Sequence, residues 1–129
     1  MKKFFAALLL ICLLLSAYAL AETITFSFAV VPTSTVYDYQ VGASGTKGDS
    51  EQRFYVTTLT NGFSDNRDIY YISCSDSGAL ISNVITNSGR ASYNTTAVAG
   101  GTYRLAYRTN RKSTDSSTYC CLVTGRWNP

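Results

Sequence analysis

Thr23-Ile24-Thr25-Phe26-Ser27-Phe28-Ala29-Val30 alternates polar and apolar side chains without a break. Side chains on an extended strand switch sides at every residue. Ile24, Phe26, Phe28 and Val30 therefore line one face, and Thr25, Ser27 and Ala29 the other. A helix, with a period of about 3.6 residues, would scatter the same four apolar groups around its axis. The segment reads as a half-buried strand. Pro32 ends it, because proline has no N–H to give to a sheet ladder. Such a strand needs an apolar partner surface, and the segments downstream supply one.

Residues 36–41 read as a shorter strand with Tyr37, Tyr39 and Val41 on one side. Residues 42–50 hold three glycines and no apolar side chain larger than alanine, which predicts a loop. Residues 52–60 are rich in β-branched and aromatic residues and run into Asn61-Gly62, a pair suited to a tight turn. Further strands are predicted over 68–74, 79–86, 90–96, 102–109 and 118–127. Turn signals separate most of them, at Ser75-Asp76-Ser77-Gly78, Asn87-Ser88-Gly89 and Gly100-Gly101. No stretch sustains a helical period. The pattern predicts an all-β domain, a single small antiparallel β-sandwich, with a β-barrel as the alternative.

Upstream of the opening strand, MKKFFAALLLICLLLSAYALA (residues 1–21) has two lysines, an apolar run from Phe4 to Leu15 and small residues spaced as a cleavage site. This is the layout of a secretory signal peptide. The run is 12 residues long, whereas a membrane-spanning helix needs roughly 20. Cys12 follows Ile11 rather than a small residue, so lipidation is not expected. Cleavage is expected after Ala21, with Ala19 as the alternative, leaving residues 22–129 as one secreted, extracellular β domain. Loss of Lys2 and Lys3 lowers the formal charge from +3 to +1.

That small charge argues against a dedicated nucleic-acid binder, whose affinity rests on many phosphate contacts. The charge is unevenly spread. Residues 22–76 carry three basic and seven acidic side chains, and residues 77–129 carry six basic ones against Asp115 alone. Either the halves interleave and attract, or a basic face awaits an anionic partner. With no histidine in the chain, Ser-His-Asp and Cys-His catalysis are excluded. The carboxylate pairs Asp49/Glu51 and Asp65/Asp68 fall in or beside loops and read as solvated. So does the calcium-like group Asp65, Asn66 and Asp68. No enzyme activity, cofactor or metal is expected.

Three cysteines follow the signal segment: Cys74, Cys120 and Cys121. Neighbours on a strand point to opposite faces, so only one of Cys120 and Cys121 can meet Cys74. The face of Tyr119, Cys121, Val123 and Trp127 is the more apolar, and Tyr70, Ile72 and Cys74 share a face on their strand. The expected disulfide is Cys74–Cys121, with Cys120 left as a free or intermolecular thiol. The segment Asp115-Ser116-Ser117-Thr118-Tyr119-Cys120-Cys121 resembles the immunoglobulin-domain corner in which a tyrosine precedes a cysteine by two places. It covers seven residues and goes no further, because the single tryptophan, Trp127, follows the cysteines instead of lying between them.

The binding candidates are a basic patch, Arg104, Arg108, Arg111 and Lys112, and three aromatic platforms, Tyr55, Tyr71 and Tyr93. Exposed rings beside polar groups stack on sugars or on partner proteins. Asn94-Thr95-Thr96 has the form of a glycosylation acceptor. The functional expectation is a secreted binding or adhesion module for a glycan or a cell-surface protein. Two alternatives stand beside it. One is an assembly protein that links subunits, as a homodimer for instance, through Cys120 or open sheet edges. The other is a secreted antimicrobial or inhibitory effector.

Overall fold

A computed structural model describes residues 22–129, and the signal-peptide reading of residues 1–21 lies outside them. The described residues form eight strands and no helix: β1 (Ile24–Val30), β2 (Gln40–Thr46), β3 (Arg53–Asn61), β4 (Ile69–Ser75), β5 (Ile85–Thr86), β6 (Gly89–Ser92), β7 (Thr102–Thr109) and β8 (Cys121–Asn128). They make two four-stranded sheets. The first has the order β1-β8-β3-β6 and the second β2-β7-β4-β5. Every pairing is antiparallel. The sheets pack face to face without closing into a barrel, so the fold is a small β-sandwich.

The opening alternation does what its period requires. Phe26, Phe28 and Val30 enter the core beside Val123 and Trp127 of β8 and Phe54 and Val56 of β3. The second sheet answers with Ile69, Tyr71, Tyr103, Leu105 and Tyr107. Phe28 lies on Tyr107 at 4.1 Å and on Phe26 at 4.7 Å, both stacked, so one ring ties the two layers together. Burying each such side chain contributes about 1.5–3 kcal/mol.

Two segments differ from expectation. β2 runs through the glycine-rich stretch that reads as a loop, while residues 31–39 form the irregular connection, with Tyr37 85% exposed. The glycines are there because the sheet edges approach closely. A Cβ on Gly42 would stand 2.4 Å from the Phe28 ring, and one on Gly45 only 1.8 Å from Ile24 Cδ1. Residues 79–86 are mostly irregular, held by single bridges at Leu80 and Ser82 before the two-residue β5.

The expected Cys74–Cys121 disulfide is absent, and all three thiols are free. Both faces of β4 look apolar in sequence, and the structure selects the other one for the core. Ile69 and Tyr71 point inward, whereas Ile72 and Cys74 point outward into a small cluster with Ala106 and Tyr39. Cys121 packs against the core between the sheets. The two sulfurs thus lie on opposite sides of the second sheet. Cys120 is exposed.

Candidate functional site

The four residues of the predicted basic patch do not form one free cationic surface. Arg104 pairs with Asp76 at 3.3 Å, and Lys112 with Asp65 at 2.6 Å. Arg108 lies on the outer side of β7 but is only 7% exposed. Its guanidinium sits 4.4 Å from the Tyr70 ring centre and 5.4 Å from that of Tyr39, and it donates to Asn110 Oδ1 at 2.6 Å. Arg111 is exposed, and its backbone N–H donates to the carbonyl of Thr33. Three ion pairs, Arg104–Asp76, Lys112–Asp65 and Arg67–Asp115, each join a residue of the acidic half to one of the basic half. The interleaving of the two halves accounts for that part of the charge asymmetry.

Two of the three predicted platforms are core residues. Tyr71 is fully buried and its hydroxyl shares a 2.8 Å hydrogen bond with Thr58 Oγ1. Tyr93 packs between Phe54 and Tyr103. Burial pushes both phenols up to about 12. Both faces of the Tyr71 strand look apolar in sequence, and the structure buries Tyr71 in the core while Tyr70 takes the other face beside Arg108.

At one end of the sandwich, residues 62–68 and 110–120 meet around Arg67. All five of its N–H groups are used: Nε and one Nη2 hydrogen on Asp65, one hydrogen from each Nη on Asp115, and the remaining Nη1 hydrogen on the Asn110 carbonyl. The rings of Phe63 and Tyr119 flank it at 4.9 and 5.4 Å. The guanidinium holds the Asp115 carboxyl down at about 2 and keeps Asp65 well below the usual carboxylate range. Neither carboxylate carries a proton at neutral pH to give as a general acid. Asp115 and Tyr119, the residues of the corner-like segment, thus serve a clasp between two loops. The concavities around it are shallow and lined by Ser64, Thr114 and Ser116 as well as the clasp itself. Among the described residues, no three His, Cys, Asp or Glu side chains gather into a metal-holding group.

Besides Arg111, three further cations without an ion pair among the described residues lie on the outer face of the first sheet. On β3, Phe54 and Val56 point inward, so Arg53, Tyr55 and Thr57 point outward. Register places Arg90 of β6 opposite Tyr55, and Asn128 of β8 on its other side. Arg126 lies opposite Thr57 and Arg53 opposite Ser92. Tyr55 is thereby surrounded by Arg53 along its own strand, Arg90 across from it and Arg126 on the diagonal. Among the described residues, none of these three arginines has a carboxylate within ion-pair distance. The Tyr55 hydroxyl donates to Glu51 Oε1 at 2.6 Å. That bond raises the phenol's pKa, against the charges of Arg90 and Arg53. Thr25, Ser27, Thr60, Ser92 and Thr124 supply hydroxyls on this face, and Ala29 and Leu122 are exposed apolar positions at its β1–β8 end.

The sequence singles out Tyr55 as a candidate and does not single out the three arginines around it. Strand parity alone puts Arg53 and Arg126 opposite core residues, and so outward. The neighbourhood of Arg90 depends on β6 pairing with β3, a contact between strands well separated in the chain. Comparison with protein-family models, with curated proteins and with solved structures returns no match for this chain.

Proposed function

We propose that this chain is an exported, non-catalytic binding module whose outer first-sheet face holds an acidic polysaccharide. The observation that carries the reading is the placement of Tyr55 among Arg53, Arg90 and Arg126 on one sheet face, three cations with no carboxylate within ion-pair distance among the described residues. Guanidinium groups hydrogen-bond sulfate and carboxylate oxygens in a fixed fork. An aromatic ring offers a sugar a stacking surface, and threonine and serine hydroxyls match its hydroxyl groups. Three arginines are too few for a nucleic-acid binder that depends on counterion release, but they suit a partner with spaced charges. The signal-like residues 1–21 support export, which brings the domain to where such polymers occur.

Binding to dextran sulfate, with neutral dextran as control, tests this reading. Wild-type protein is expected to bind the sulfated polymer, with affinity falling as salt rises, and to ignore the neutral one. The variant Arg53→Ser/Arg90→Ser/Arg126→Ser should lose binding while Arg104→Ser/Arg111→Ser retains it. Equal binding by both variants, or none by the wild type, contradicts the proposal.

A further inference from the structure

A sheet that is not closed leaves backbone N–H and C=O groups unpaired along its edge strands, and proteins blunt such edges with short strands, bulges, prolines or charges. Three of the four edges here are blunted. β5 has two residues and β6 four, and β2 is interrupted by a register shift between Val41 and Ser44. β1 is different. Its seven residues keep an unbroken register with β8 from Ile24 to Val30. The strand contains no charged residue, proline or glycine. Apart from its ladder with β8 it makes no backbone hydrogen bond among the described residues. Thr25, Ser27 and Ala29 are exposed along it.

We infer that this edge receives a second copy of the same chain. β1 pairs antiparallel with β1 of the copy, and the two four-stranded sheets become one sheet of eight strands about a two-fold axis at Ser27. The strand is its own complement in that register. Phe26 comes opposite the copy's Phe28, Ile24 opposite Val30, Thr25 opposite Ala29, and Ser27 opposite itself. Apolar residues thus meet apolar ones on the core side, and small uncharged residues meet on the outer side. An isologous interface requires such self-complementarity, which a strand from an unrelated partner would have to match by chance. Edge pairing buries little surface, so the dimer is weak and concentration-dependent. The axis stands normal to the sheet and brings both arginine-bearing faces to one side. The pairing itself rests on β1 alone and stands or falls separately from polysaccharide binding.

Sedimentation velocity on protein purified after expression of the whole chain, with reductant present to exclude a Cys120 disulfide, tests the inference. The wild type should show a monomer–dimer equilibrium. Thr25→Lys/Ala29→Lys sets lysine opposite lysine and should weaken association at least about ten-fold, as should Thr25→Glu/Ala29→Glu. Mixing the two variants should restore a dimer of one chain of each kind, which also shows that both are folded. A wild type that stays monomeric at every concentration overturns the inference. So does a lysine variant that dimerises like the wild type, or a mixture that fails to recover.

Discussion

At Arg67, five donors meet five acceptors, and the two carboxylates that accept four of those bonds come from loops on either side. Because the clasp lowers the folded-state pKa of Asp115, its stabilisation is full above the ordinary carboxylate value of 3.8 and is lost as the pH falls toward about 2. Thermal unfolding followed by circular dichroism should show the melting temperature dropping across that window. Asp115→Asn should be less stable at neutral pH and lose less on acidification. The buried phenols act at the other end of the scale. Tyr71 and Tyr93 are raised from 10 to about 12 by burial, so the stability they contribute is full below pH 10 and lost as the pH rises through about 12. The loss should be about 3 kcal/mol per tyrosine. Tyr71→Phe should cost about 1 kcal/mol at neutral pH, through the hydrogen bond to Thr58, and should blunt the alkaline loss. Neither the clasp nor the choice of buried tyrosines is legible in the sequence. Arg67 and Asp115 are 48 residues apart, and Tyr70 and Tyr71 are chemically alike until the sheet takes one inward.

Among the elements, β1 and β8 are legible because one face is plainly the more apolar, and the structure keeps that face in the core. β2 is illegible for a physical reason. Its glycines reflect what lies across from them, the Phe28 and Tyr107 rings and Ile24, and not a turn within the segment. The two glycines should respond differently to substitution. Gly42→Ala drives a methyl into two packed rings and should cost about 1–3 kcal/mol. Gly45→Ala meets the terminal methyl of Ile24, which can rotate away, and should cost less. Urea denaturation of the two variants separates these outcomes, and equal costs would contradict the close-approach account.

On the scale of the whole molecule, composition and turn spacing are enough to predict a sandwich, but strand order is not local information. The basic patch expected at Arg104, Arg108, Arg111 and Lys112 comes from adjacency in the chain. Folding neutralises or covers most of it. Arg53, Arg90 and Arg126 are spread over more than half the domain, and sheet pairing β6-β3-β8 brings them around Tyr55. All three point to solvent, so replacing them with serine should change stability by no more than about 0.5 kcal/mol each. The most direct measurement is a backbone-amide NMR titration of the protein with a sulfated oligosaccharide. Shifts confined to residues 53–57, 90–92 and 124–128 are the predicted result. Shifts clustered at residues 104–112, or none, would contradict the assignment of the first sheet's outer face.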